Sequence, residues 1–242
     1  MKKLSVAESF YSIQGEGKTI GYPAVFLRLA GCNLICGGQG TQFDKKLHNN
    51  ATWRCDSIEV WMKGKAKSID NILNEECIEA LKNGANLIIT GGEPCMQQDA
   101  LIDFFLWLEN NVAKDIYIEC ETNGTISPNK IKHKINQFNC SPKLENSGNI
   151  KEIRINTEVL KEINQHQGSI FKFVISNKSD WKEIERDFLQ YIDRDKIWLM
   201  PAGESQKELK ETKKIVAEIC KENYLKYTGR LQVEIWNKKT GV

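Results

Sequence analysis

Short apolar runs alternate with stretches of helical periodicity along most of this 242-residue chain, and its chemically distinctive residues fall just after the apolar runs. The run at 24–29 leads into cysteines at 32, 36 and 55. Those at 87–89, 116–118 and 197–200 lead into TGGEP, ETNGT and PAGE, and a further strand is predicted over 170–175. Between them lie the helical patterns. Ser68 caps a helix carrying Ile69, Leu73, Cys77, Ala80 and Leu81, which Gly84 stops; a second helix spans 98–110. A third starts at Ser127 with Pro128 at its first position, ahead of the short NCSPK segment. Others follow Thr157 and span 181–191 and 206–222, and the closing RLQVEIW alternates like a half-exposed strand. Strands separated by helices of this length pair in parallel through right-handed crossovers. In a parallel barrel the segments after the strands build the active-site face. The chain therefore reads as one α/β enzyme domain over 1–242, with no repeat or linker dividing it.

Charge narrows the partners. Lys and Arg number 34 against 32 Asp and Glu, a net charge of +2, so no basic surface calls for nucleic acid and a small molecule is the better partner. The start MKKLSVAESF moves straight into polar residues and no apolar run is long enough for a bilayer, which predicts a cytoplasmic protein without a membrane partner. In that reducing compartment eight cysteines are not expected to form disulfides.

The stretch 28–57, RLAGCNLICGGQGTQFDKKLHNNATWRCDS, carries the densest chemistry. Three thiolates on one loop can hold three irons of a 4Fe-4S cluster and leave the fourth open to a small molecule, which suits catalysis; four would close it. By spacing alone, zinc with His48 as a further ligand, or plain packing, stays open. Between Cys32 and Cys55, Cys36 is the natural second ligand and His48 the substitute. Cys77, Cys95, Cys120, Cys140 and Cys220 read as packing residues. Glycines in TGGEP let a backbone approach a ligand closely, and Glu93 with exposed backbone groups can hold an ammonium, although an ordinary glycine turn has the same signature. Arg28 sits inside an apolar run and must be paired, either with a ligand carboxylate or with a glutamate. Ser57 offers magnesium a hydroxyl oxygen, or caps a helix together with Asp56. His133 and His166 lie in polar helical stretches and read as solvated.

Taken in order, FYSIQGEG, GYPAVFLRLAGCNLIC, CDS, TGGEP, ETNGT, SPK, LMPAG and RLQVEIW resemble the 7-carboxy-7-deazaguanine synthases of the radical S-adenosylmethionine (SAM) superfamily over nearly the whole chain. The cysteines alone indicate the superfamily, while QGEG, the arginine before GCN, and CDS narrow it. The resemblance implies an incomplete parallel (β/α) barrel of the radical SAM type, acting as a homodimer. It implies conversion of 6-carboxy-5,6,7,8-tetrahydropterin to 7-carboxy-7-deazaguanine with loss of ammonia, toward queuosine and related deazapurines. The implied cofactors are a 4Fe-4S cluster on Cys32, Cys36 and Cys55, SAM, and Mg2+ on Ser57, with a one-electron reductant such as flavodoxin or ferredoxin. SAM contacts are implied for Gly92, Glu93, Ser141, Pro142, Lys143, Met200, Pro201, Ala202 and Gly203. Substrate contacts are implied for Ile13, Gln14, Gly15, Arg28 and Thr90; for Glu16 and Glu121 two readings stand, pairing with the pterin's guanidine-like nitrogens or an ordinary helix cap or surface ion pair.

The superfamily spacing is C-x3-C-x2-C, whereas eighteen residues separate Cys36 from Cys55 here, an insertion at about 37–54 of a kind some synthases carry. The aromatic residue that commonly precedes the third cysteine is displaced: Trp53 lies one place early and Arg54 takes its position, leaving the adenine contact unassigned. A glycyl-radical activase is the alternative, sharing the cluster and TGGEP without the pterin contacts.

Overall fold

In the computed structural model, which describes residues 2–239 and 241, one nine-stranded sheet runs from end to end. Its strands are β1 (Leu4–Ile13), β2 (Pro23–Leu29), β3 (Lys65–Lys67), β4 (Asn86–Gly91), β5 (Ile118–Thr122), β6 (Gln137–Cys140), β7 (Ile170–Ile175), β8 (Ile197–Pro201) and β9 (Lys226–Tyr227). They lie in the order β3-β1-β2-β4-β5-β6-β7-β8-β9. β1 runs antiparallel to both β2 and β3, and from β2 to β9 every neighbouring pair is parallel. β3 and β9 remain as edges, so the expected incomplete parallel barrel forms. The longer helices are α1 (Glu75–Lys82), α2 (Gln98–Asn111), α3 (Thr157–Gln165), α4 (Ser179–Asp187) and α5 (Gln206–Asn223), followed by the short α6 (Leu231–Trp236). Among the described residues no helix is long and apolar enough to cross a membrane.

Alternation along the strands decides what faces where. On β5 (IECET), Ile118 and Cys120 enter an apolar core with Phe104, Phe105 and Leu108 of α2, whereas Glu119 and Glu121 point to the other face. On β7, Phe171, Phe173 and Ile175 join that core and Lys172 does not. The helix-covered side is thus apolar and the inner side polar. Near the amino ends of the strands, the fully buried Glu119 carboxylate accepts hydrogen bonds from Thr19 Oγ1 (2.7 Å), Asn86 Nδ2 (3.1 Å) and Asn139 Nδ2 (2.7 Å). Burial pushes its carboxyl above the usual range despite these donors. The amide cluster fills the barrel floor, and a second cavity of about 280 Å3 on the amino side of β5 lies apart from the cysteines.

The structure departs from the sequence reading at several elements. β1 carries an irregularity between Val6 and Glu8, which breaks the period-two pattern that would have marked it. The helix expected from Ser68 divides into a single 3-10 turn, Ile69–Asn71, and α1, whose cap is Asn74 accepting from Cys77 N at 2.8 Å. No helix starts at Ser127: its hydroxyl donates to Glu162 and its carbonyl accepts from Gln98 Nε2, leaving a turn and a short 3-10 segment, Lys132–Lys134. The expected strand at 116–118 lies further on, so Glu119 and Glu121 are in the sheet. RLQVEIW is helical, its first amide at Leu231 donating to Gly15 O at 2.9 Å. His166 is half-buried with its ring edge-on to Phe138 at 5.0 Å, so it is not simply solvated.

Phe104 is fully buried between α2 and the sheet. Phe104→Ala should lower the unfolding free energy by about 3–5 kcal/mol, read as a shift in the urea midpoint.

Candidate functional site

The loops after β2 and β4 fasten to each other before either meets a ligand. Gly92 N donates to Leu29 O (3.1 Å) and Glu93 N to Gly31 O (2.9 Å). A Cβ at Gly92 would sit 1.7 Å from Gly31 O, and one at Gly91, where φ is +123°, 2.2 Å from Leu29 O. The paired glycines are therefore required by this chain crossing, whatever else approaches them. Glu93 is fully buried and lies outside the cavity wall. Its carboxylate accepts from Asn123 N (2.7 Å), Cys95 N (2.9 Å) and Thr122 Oγ1 (2.8 Å), locking TGGEP to ETNGT. Burial pushes the Glu93 carboxyl up against those donors. This carboxylate acts on the neighbouring loop, and the expected direct contact with an ammonium is not what its geometry offers.

Above the polar floor opens a cavity of about 930 Å3. Cys32, Cys36 and Cys55 all line it, together with Ser57, although eighteen residues separate the last two cysteines. The insertion folds into a closed excursion: Cys55 N donates to Cys36 O at 3.1 Å and His48 N to Gly37 O at 2.8 Å. Arg54 pins its neck, donating to Thr41 O (3.2 Å) and pairing with Glu59 (2.6 Å), while Trp53 Nε1 donates to Asn146 Oδ1 (2.8 Å). His48 is turned to Asp44 at 2.9 Å. Among the described residues no three His, Cys, Asp or Glu side chains are grouped closely enough for one metal ion. A four-iron cube is larger and takes more widely spaced thiolates. Burial pushes the Cys32 thiol up to about 11 and the Cys36 thiol to about 12, each raised further by charge on the neighbouring cysteines and opposed by Lys143.

Ile13, Gln14, Gly15, Arg28 and Thr90 form a second wall, and Gly92, Ser141, Lys143, Met200, Ala202 and Gly203 a third. Pro142 and Pro201 are buried behind this surface. Arg28 lies opposite Thr90 in the β2–β4 register and pairs through Nε with Glu8 at 2.8 Å, leaving its terminal nitrogens outside that bond. The salt bridge to a glutamate is thus present, while Arg28 also lines the cavity.

Beneath them runs a chain of ion pairs that sequence reasoning did not find. Gln14 Nε2 donates to Glu121; Glu121 meets Lys172 (3.2 Å), Lys172 meets Glu16 (2.6 Å), Glu16 meets Arg230 (3.0 Å), and Arg230 meets Asp56 (2.5 Å). Lys172, its side chain 2% exposed, is held charged because Glu121 and Glu16 outweigh the burial that opposes ionisation. Burial likewise opposes ionisation of Glu16, yet Lys172 and Arg230 hold its carboxyl far below the usual carboxylate range. Glu16 is therefore committed to protein cations. A lysine enclosed by IFKFVI was the signal available in the sequence, because a lone charge in an apolar strand needs a buried partner.

No family model matches the chain. The 7-carboxy-7-deazaguanine synthase of Halobacterium salinarum is 31% identical over 258 residues, covering 97% of this chain and 91% of that protein. The chain belongs to the 7-carboxy-7-deazaguanine synthase family. The synthase of Pyrobaculum aerophilum is 28% identical, with 99% and 97% covered. Escherichia coli QueE shares the fold, with a TM-score of 0.62 at 23% identity over 95% of this chain and 94% of that one. In this synthase the inner charges come from both ends of the chain, Glu16 near the start and Arg230 near the finish, closing one wall over the barrel.

A carboxyl depressed by folding contributes stability that is present above its unfolded value of 4.5 and lost as pH falls below it. Glu16→Gln should cost about 3 kcal/mol near neutrality, since it leaves buried cations with fewer partners. It should also flatten the acid-side loss of stability, measured by urea unfolding across the acid range.

Proposed function

We propose that this chain converts 6-carboxy-5,6,7,8-tetrahydropterin to 7-carboxy-7-deazaguanine with release of ammonia, using a 4Fe-4S cluster, SAM and Mg2+. The observation that carries this reading is that three thiols of one loop open on the same cavity as Arg28 and Thr90, in a member of the synthase family. The residues present suit these groups. Cys32, Cys36 and Cys55 would hold three irons, and Gly92, Ser141, Lys143, Met200, Ala202 and Gly203 would cradle SAM. Ser57 would give Mg2+ one oxygen. When bound, the cluster and SAM supply the one-electron chemistry that makes a carbon radical.

The chain's own residues bind and orient. Arg28 receives the substrate carboxylate on its terminal nitrogens while Glu8 fixes the guanidinium through Nε. Ile13, Gln14 and Gly15 face the pterin edge, and Glu121, whose Oε2 meets Lys172 and whose Oε1 has only the long bond from Gln14 at 3.5 Å, accepts from the guanidine-like nitrogens through Oε1. The stacked rings of Phe10 and Phe26, centroids 5.1 Å apart, and Met200 form apolar walls that keep water from the reacting carbon. Lys45, Leu47, Thr52 and Trp53 of the insertion add a wall that shorter cysteine loops lack. We read residues 1–242 as a single radical SAM domain with its insertion at 37–54, working in the cytoplasm as a homodimer with flavodoxin or ferredoxin as reductant.

Protein reconstituted without oxygen and given SAM, dithionite and the carboxytetrahydropterin should yield the deazapurine and ammonia, identified by mass spectrometry. Cleavage of SAM without deazapurine would place the chain elsewhere among radical enzymes. Cys36→Ala should abolish SAM cleavage and lower the iron content. Arg28→Met should raise the substrate KM about 10–100-fold, the loss of a charged hydrogen-bonded pair.

A further inference from the structure

Each of the three cavity sulfurs has a separate hydrogen-bonding side chain. Asn149 Nδ2 donates to Cys36 Sγ at 3.6 Å, Asn123 Nδ2 to Cys32 Sγ at 3.9 Å, and Ser57 Oγ lies 3.3 Å from Cys55 Sγ. The two asparagines are buried and cannot exchange their amide ends freely. Asn149 Oδ1 is committed to Ile35 N (3.2 Å), so Nδ2 faces the sulfur and Ser147 Oγ (3.1 Å). Asn123 Oδ1 is committed to Thr125 N (3.0 Å) and Thr125 Oγ1 (2.6 Å), so Nδ2 faces Cys32 and Asn33. Backbone N–H donors to each carbonyl thus define the orientation. The donors come from different loops, after β5, after β6 and within the cysteine loop itself.

We infer that Asn149 and Asn123 are positioning residues that set the reduction potential of the cluster, one amide donor to each of two ligand sulfurs. The inference rests on the cluster assignment made under the proposed function. An N–H directed at a thiolate sulfur stabilises negative charge there. Adding one electron makes the cluster more negative, so the donor favours the reduced form and raises the potential. Cys36 is 6% exposed, and burial alone acts in the opposite direction by excluding water from that charge. Asn149, contacting the most enclosed of the three sulfurs, offsets this. Glu93 enters indirectly, because its bond to Asn123 N holds the second donor in place.

The test is a dithionite titration with redox mediators, followed by electron paramagnetic resonance of the reduced centre, without substrate. Asn149→Asp keeps an oxygen for Ile35 N and removes the donor; Asn149→Leu removes it without adding charge. Both variants should retain four irons. At the wild-type midpoint the ratio of reduced to oxidised cluster should fall about tenfold in each, a shift of about 59 mV to more negative potential for one electron. Electron–nuclear double resonance of the wild type in H2O and D2O should reveal an exchangeable proton coupled to the cluster, weakened in both variants. A reduced fraction within about twofold of wild type in both iron-replete variants would overturn the inference. So would a wild-type cluster without any exchangeable coupled proton, a result that stands even where a variant loses iron. A wild type that assembles no four-iron centre at all counts against the proposed function, and is distinguished from these outcomes by its colour and iron content.

Discussion

A charge inside a barrel must meet its opposite, and that requirement organises this molecule. Lys172 stands on the inner face of β7, where an unpaired ammonium would be untenable. Its pairing with Glu16 and Glu121 draws the segment after β1 onto β5, and Arg230 extends the line to Asp56, the residue following Cys55. One continuous set of ion pairs therefore connects the inner face of β5 to the cysteine loop. Buried pairs contribute little net stability compared with apolar packing, but breaking one is costly, so they act here as fixers of geometry.

Much of the architecture was legible because the residues that carry chemistry follow the strands in a fixed rhythm. The strand at 170–175 and the helix beginning at Gln206 were found where the periodicity placed them. What escaped was set by tertiary contacts. β6 is only four residues long, QFNC, so its alternation of Gln137 and Asn139 on the polar floor with Phe138 and Cys140 in the core is too short to stand out. The tail RLQVEIW alternates as a strand would, yet Arg230 and Gln232 both reach Glu16 and the backbone coils to let them.

At the site, the identities of the lining residues were readable and their division of labour was not. Cys36, Arg28 and Ser57 all reach the cavity. Glu93 looked like a ligand-binding carboxylate because it follows two glycines, but those glycines serve the crossing of two loops and the carboxylate turns inward. The asparagines of ETNGT and ENSGN gave no signal at all, since an amide's purpose depends on which of its ends is already occupied.

The insertion returns Cys55 to Cys36 by a backbone bond, and α6 lays Arg230 against Glu16 and Asp56. The wall over the chamber thus joins residues 214 apart in sequence, and it can close only after the strands between them have paired.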